Sequence, residues 1–84
     1  MTDEEVRIFR LDVYGRDVLV EHEVKGWRAF YLSAEGKRRG AEEIIIPPRV
    51  REGELIRYIA DLCHEWAEPG HAEVRVRGKF NGTM

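Results

Sequence analysis

If Gly15-Arg16 forms a two-residue turn, the residues before it pair with the residues after it in two rows, one on each face of the hairpin. The facing pairs are then Val13 with Val18, Leu11 with Val20, Phe9 with His22, Asp12 with Leu19, and Arg10 with Glu21. Side chains alternate between the two faces of a strand, so one face is apolar and the other carries an opposite-charge pair. This agreement between turn and alternation predicts an antiparallel sheet with one buried face.

A second turn extends the predicted sheet by a third strand. With Lys25-Gly26 at the turn, Glu23 faces Arg28 and the apolar side continues across all three strands. A two-residue turn requires a positive φ, which lysine rarely adopts. A longer loop or a bulge after Gly26 is therefore the alternative.

The second half of the chain predicts a fourth strand, one helix and a last strand. The β-branched run Ile44–Ile46 suits a buried strand that ends at Pro47-Pro48. Apolar residues recur at spacings of three and four over Leu55–Trp66, which is typical of an amphipathic helix. Apolar and charged residues then alternate over 72–77. We therefore predict an α+β fold in the order β-β-β-(β)-α-β, with a mainly antiparallel sheet of four to five strands and one amphipathic helix.

Length and composition indicate one small globular domain. The 84 residues are 36% charged and 43% hydrophobic, and no apolar run approaches the roughly 20 residues of a membrane span. We expect a single domain over 1–84 with mobile ends at 1–5 and 78–84, and no membrane partner. The acidic start Met1–Glu5 lacks the apolar stretch of a secretory signal, and Cys63 has no second cysteine to pair with, so we expect a cytoplasmic protein.

Basic residues concentrate in the middle of the chain. Residues 25–51 contain seven basic and three acidic side chains, a local balance of +4, whereas the formal net charge of the whole chain is −2. Lys37, Arg38 and Arg39 follow Gly36 in a predicted turn and form a candidate anion-binding loop. Such a loop is able to neutralise phosphates, so a nucleic-acid-associated accessory role is the second functional hypothesis.

The residues that carry most enzymatic chemistry are few and scattered. Cys63 lies in the apolar stripe of the predicted helix and Ser33 has no nearby histidine in sequence, so neither is a candidate nucleophile. His22, His64 and His71 have no metal-ligand spacing. We therefore assign no catalytic, metal or cofactor-binding residue and expect no cofactor and no enzyme activity. A cleft that encloses His22 with a carboxylate would instead indicate catalysis.

Several segments together resemble one protein family. They are Asp12–Arg16, Gly26–Leu32, Glu35–Arg39, Ile44–Pro47 and Leu62–Ala67. On these segments the chain resembles a family of short uncharacterised bacterial proteins, a domain of unknown function, and the resemblance extends from Phe9 to Arg77. It implies a free-standing bacterial domain and assigns no functional residue. In element order alone the chain also resembles HicB-type antitoxin domains, but it lacks their Pro-Gly-Cys segment and any appended DNA-binding helix pair.

The predicted register leaves apolar side chains on the sheet face opposite the helix. Leu19, Phe30 and Leu32 lie together there, and one helix covers only one face of a sheet. An exposed apolar patch of this kind is typical of a protein-protein interface. We therefore predict a small non-enzymatic binding or adaptor module that acts through a protein partner, with a homodimer as its simplest form.

Overall fold

The computed structural model describes the backbone of residues 5–83 and the side chains of residues 6–80. Five antiparallel strands form one open sheet, and a single α-helix packs on one of its faces. The strands are β1 (Glu5–Val13), β2 (Arg16–Glu23), β3 (Gly26–Leu32), β4 (Arg38–Gly40) and β5 (Val74–Thr83), and the helix is α1 (Leu55–Leu62). Their order across the sheet is β4-β3-β2-β1-β5. The predicted fold class is therefore confirmed.

The first hairpin turns at Tyr14-Gly15, one residue earlier than predicted. Tyr14 has a φ of 52° and Gly15 a φ of 90°, and two positive φ values match the right-handed twist of the flanking strands. Val13 therefore faces Arg16 instead of Val18. The predicted register is wrong by two residues, but a shift of two leaves every side chain on its predicted face.

Contacts to two distant segments hold Tyr14 in this conformation. A left-handed backbone costs an ordinary residue about 1–2 kcal/mol. The Tyr14 hydroxyl donates a hydrogen bond to the carbonyl of Ala60 at 2.9 Å, and its main-chain N–H donates to the carbonyl of Glu73 at 3.1 Å. The side chain is also buried, so packing and hydrogen bonding together offset the strain.

The second hairpin shows the same displacement. Its turn is Val24-Lys25, because Glu23 faces Gly26 across β2 and β3. The positive φ of 142° falls on Gly26, which avoids placing lysine in an unfavourable conformation. The predicted turn at Lys25-Gly26 is corrected accordingly, and the faces are again preserved.

The fourth strand is β4, and the run Ile44–Ile46 does not join the sheet. Ile44 and Ile46 are buried while Ile45 is 70% exposed, so two isoleucines pack into the core without strand pairing. The carbonyl of Ile45 accepts a hydrogen bond from the Tyr58 hydroxyl at 3.2 Å, and Pro47 supplies no N–H. The main-chain N–H of Ile44 donates to the carbonyl of Ala41 at 3.0 Å, so these groups bond outside the sheet.

The helical region is interrupted. Helix α1 is preceded by a 3-10 turn at Glu52–Glu54. The span predicted as one helix from Leu55 to Trp66 ends as an α-helix at Leu62 and continues as a second 3-10 turn at His64–Trp66. At the start of the helical region, the main-chain N–H of Arg51 donates to the Glu54 carboxylate at 3.0 Å. Leu62, which the spacing placed in the apolar stripe, is 42% exposed.

Strand β5 is longer than predicted. Residues 78–83, which the sequence assigned to a mobile tail, pair with β1 as far as Glu5, and the register shifts between Arg10 and Leu11. This pairing uses main-chain groups, so it needs no apolar alternation in the sequence. Residues 1–4 and Met84, also predicted to be mobile, lie outside the described residues.

The core lies between the helix and one face of the sheet, which we call the inner face. Its buried residues are Phe9, Leu11, Val13, Tyr14, Val18, Val20, Ala29, Ala41, Ile44, Ile46, Val50, Leu55, Ile59 and Cys63. Helix α1 and the segment 41–50 both contribute to this cluster. The opposite, outer face of the sheet therefore becomes the place to look for function.

Candidate protein interface on the outer sheet face

The outer face carries a diagonal row of apolar side chains from β5 to β3. Strand alternation places these apolar side chains on the outer face, because the residues next to them along each strand point to the inner face. Leu19 faces Phe30 across β2 and β3, Leu32 follows Phe30 on the same face, and Phe80 faces Ile8 across β5 and β1. We call these five residues the outer patch. All but Phe80 are partly buried, and Phe80 is 53% exposed.

The three predicted interface residues thus lie together, and the sequence missed the other two. Leu19, Phe30 and Leu32 occupy the outer patch as predicted from strand alternation. Phe80 was missed because its position fell in the tail, beyond the predicted end of the last strand. Ile8 lay just outside the hairpin rows that were aligned. Its apolar side chain next to buried Phe9 was the signal that could have found it.

Four ion pairs surround the outer patch. They join Arg10 to Asp17 at 2.8 Å, Arg38 to Glu21 at 2.6 Å, Arg28 to Glu23 at 3.5 Å and Arg77 to Asp12 at 3.5 Å. The hydrogen bond from Arg10 lowers the pKa of Asp17, although partial burial opposes this. Each arginine is matched by a carboxylate on the same face, so these eight groups carry no net charge.

Two arginines cover the ring of Phe30. The guanidinium of Arg38 lies 4.6 Å from the ring centroid and that of Arg28 lies 5.8 Å away. Arg38 also binds Glu21, which is 7% exposed and is the buried charged residue of the described chain. Arginine and aromatic side chains in contact are enriched at the energetic centres of protein interfaces.

The predicted anion-binding residues line one shallow cavity of about 430 Å³, but their side chains leave the backbone in different directions. Lys37 is exposed beside the Ser33 turn, where its main-chain N–H donates to the Ser33 hydroxyl at 3.1 Å. Arg38 lies on the outer face with its partner Glu21, whereas Arg39 lies over the Tyr31 ring at 5.6 Å on the inner side. Consecutive strand residues point in opposite directions, so Arg38 and Arg39 carry their guanidinium groups to opposite faces of the sheet.

A shallow cavity of about 380 Å³ lies beside Arg39, and no residue pattern predicted it. Arg16, Tyr31 and Glu43 are among its lining residues, and the Arg16 guanidinium stacks on Trp66 at 4.0 Å. Burial, helped by the nearby Glu43 carboxylate, raises the pKa of Tyr31 to about 12. Tyr31 therefore stays neutral at physiological pH.

His22 has a carboxylate partner on the inner side of the sheet. Its Nδ1 lies 2.7 Å from Oε2 of Glu52, and its ring stacks on Trp27 with centroids 3.8 Å apart. Arg7 donates to the other Glu52 oxygen at 2.8 Å. Burial raises the pKa of Glu52, but the hydrogen bonds from His22 and Arg7 outweigh it, and the net pKa lies below the ordinary value.

This cluster ties the start of the helical region to the sheet. Glu52 belongs to the 3-10 turn before α1, while His22 and Trp27 come from β2 and β3. Trp27 also donates from its indole to the carbonyl of Val50 at 3.0 Å. Within residues 6–80, His22 has its side-chain hydrogen bond with Glu52 and none with a hydroxyl or thiol nucleophile. We call Arg7, His22, Trp27 and Glu52 the latch, because together they join the sheet to the start of the helical region.

Comparison with known proteins assigns the family. A family model described as a domain of unknown function, DUF7661, matches residues 8–77. The chain belongs to the DUF7661 family. The match begins in β1 and ends in β5, so DUF7661 spans the sheet, the helix and most of the outer patch. No curated protein and no solved structure matches the chain.

The DUF7661 assignment confirms the resemblance to a domain of unknown function, while the bacterial origin and the likeness to HicB-type antitoxin domains stay predictions. In the part of the DUF7661 chain that the structure describes, no helix is long and apolar enough to cross a membrane. The same part contains no group of three or more histidine, cysteine or acidic residues arranged to hold a metal ion.

Proposed function

We propose that this protein is a non-enzymatic binding module that associates through its outer sheet face, with a second copy of the chain as its simplest partner. The observation that carries the proposal is the outer patch, which lies on the side of the sheet away from the helix and the core cluster. Apolar side chains that remain partly exposed are stabilised when another surface removes them from water.

The charges of this face favour a second copy as the partner. The four ion pairs around the outer patch neutralise one another within each chain, so two such faces do not repel. Arg28 and Arg38 over Phe30 supply the aromatic and guanidinium groups on which many interfaces depend. A two-fold arrangement would use this patch on both copies, which is the commonest form of homodimer.

The size of the face sets the expected affinity. Four full strands spaced about 4.8 Å apart, each of roughly seven residues at 3.3 Å, give a face on the order of 450 Å² per copy. Two such faces bury close to the lower limit of about 1,000 Å² for a specific interface. We therefore expect a weak dimer with a Kd of roughly 10–100 µM. We further propose that the protein acts in the bacterial cytoplasm, where Cys63 would remain reduced.

The test substitutes one residue at the centre of the outer patch. Phe30→Glu would replace the apolar ring at the centre of the patch by a carboxylate beside Arg28 and Arg38, so two copies would no longer bury an apolar surface there. Sedimentation at about 500 µM, above the expected Kd, should therefore change from mainly dimer to monomer. Val24→Glu is the matched control, because Val24 is 83% exposed at the tip of the second hairpin and lies away from the patch. Both variants should keep the wild-type circular dichroism spectrum.

Three outcomes of this experiment test whether the outer patch forms a homodimer. Dissociation by Phe30→Glu with a dimeric Val24→Glu supports the proposal. A monomeric wild type across the concentration range refutes the homodimer, and dissociation by both variants places the interface elsewhere.

A further inference from the structure

Strand β5 presents a basic edge at one end of the sheet. It is the last strand in the described order β4-β3-β2-β1-β5, and it is ten residues long, whereas β4 at the other edge has three. Its side chains include Arg75, Arg77 and Lys79 and no acidic residue. Edge strands in natural proteins are usually short or otherwise blocked, because a row of free main-chain groups is a template for another strand.

The basic residues of this edge are only partly neutralised. Arg75 lies 3.7 Å from Glu73 and Arg77 lies 3.5 Å from Asp12, and both arginine side chains are more than half exposed. Lys79 has its ammonium group 6.0 Å from the centroid of Phe9. The edge therefore retains a positive potential toward solvent, even though the whole chain is slightly acidic.

Exposed apolar side chains lie beside these cations. Val76, between Arg75 and Arg77, is 45% exposed, and Phe80, which follows Lys79, covers Gly78, where an added Cβ would lie 2.9 Å from the ring. Arg77 lies near Asp12 on the outer face and Lys79 lies near Phe9 on the inner face, so both sides of this edge carry a cation. A partner strand with acidic and apolar residues would satisfy both the cations and the apolar side chains.

We propose that the edge of β5 binds an extended acidic segment of another protein by strand addition. The main-chain groups of β5 would pair with the segment, and Arg75, Arg77 and Lys79 would select for carboxylates on it. A second copy of β5 is a poor occupant, because its own three cations would face those of the first copy. The edge adjoins the outer patch, because Phe80 belongs to that patch, but strand addition uses the main-chain groups of β5 whereas the outer patch uses a face of the sheet.

The probe is a fluorescein-labelled peptide of about eight residues that alternates glutamate and valine, measured by fluorescence anisotropy. The edge variant combines Arg75→Gln, Arg77→Gln and Lys79→Gln. The control variant combines Arg49→Gln, Arg51→Gln and Arg57→Gln, which removes the same charge from three exposed arginines beside α1. A second peptide with alternate main-chain amides N-methylated keeps the charge but loses main-chain hydrogen bonding on one side.

Strand addition predicts how each variant and each peptide should change the affinity. The edge variant should bind the peptide about tenfold more weakly, and the control variant should stay within about twofold of the wild type. N-methylation should weaken binding by about tenfold as well. Equal losses in both variants would show general electrostatic attraction and overturn the proposal. An unchanged affinity for the N-methylated peptide, or absence of binding up to about 1 mM, would do the same. Tighter binding of a single-stranded DNA oligonucleotide, lost in the edge variant, would assign the edge to nucleic acid instead.

Discussion

The inner and outer faces of this sheet are formed by side chains from the same strands, but they differ in burial and in charge. On the inner face, β1 and β2 contribute Leu11, Val18 and Val20, all without solvent exposure, and the free energy of folding comes from removing them from water. On the outer face most residues of these strands are partly exposed, although Glu21 is 7% exposed, and the charges are matched in pairs. One face therefore supplies the stability of the fold, and the other stays largely in contact with solvent.

The largest expected effect is the difference in the free energy of unfolding between a core variant and a helix-surface variant. Ile59 has no solvent exposure, so Ile59→Ala should lower the free energy of unfolding by about 2–5 kcal/mol. Leu62→Ala removes a similar volume from the same helix at a 42% exposed position, and it should cost less than about 1 kcal/mol. Urea denaturation of both variants measures the difference. Equal costs would show that Leu62 belongs to the core after all.

A smaller effect concerns the latch between the sheet and the helical region. Glu52→Gln removes the carboxylate that binds both His22 and Arg7, and it should cost about 1–2 kcal/mol at neutral pH, since the pair is partly exposed. Glu65→Gln, at an exposed position, is the matched control.

The latch also makes stability depend on pH in a defined direction. The pKa of Glu52 in the folded protein lies below its ordinary value of 4.5, so folding favours the charged form. Its contribution is complete above pH 4.5 and is lost as the pH falls through the lower folded-state pKa. The gap between wild type and Glu52→Gln should therefore narrow in acid, measured as urea midpoints from about pH 7 to pH 3. A gap that widens in acid would contradict the assigned pKa direction.

The smallest expected effect concerns nucleic acid. Three convergent phosphate contacts would give a log-log salt dependence with a slope on the order of −2 to −3. Because Lys37, Arg38 and Arg39 diverge and Arg38 is paired with Glu21, we expect only weak binding and a shallower slope. Replacing all three residues with glutamine should change the affinity and its salt dependence little. Submicromolar binding at physiological salt, lost in that triple variant, would make nucleic acid the principal ligand.

Local alternation predicted the faces of the sheet but not its register. The two-residue errors arose at the turns, where Tyr14 occupies a position that turn preferences assign to glycine or asparagine. Its stability there depends on Ala60 and Glu73, which are far away in sequence. Since a shift of two preserves the side of each residue, the prediction of Leu19 and Phe30 on the outer face was unaffected.

The remaining errors also reflect contacts between distant segments. Ile44–Ile46 has the composition of a strand, but the bond from Tyr58 to Ile45 and the proline that follows keep it out of the sheet. Residues 78–83 lack the apolar alternation of a strand, yet pairing with β1 makes them one. The candidate site was incomplete for this reason, because Phe80 lies in that extension.

The contacts of Tyr14 bear on how the chain reaches this structure. A two-residue hairpin turn normally closes early, because its ends are neighbours in sequence. Here the turn residue is held by Ala60 in the helix and by Glu73 just before the last strand. These hydrogen-bond partners lie 46 residues and more downstream in the sequence. We therefore expect closure of the turn, docking of the helix and addition of the last strand to be coupled, and an isolated first hairpin to be unstable.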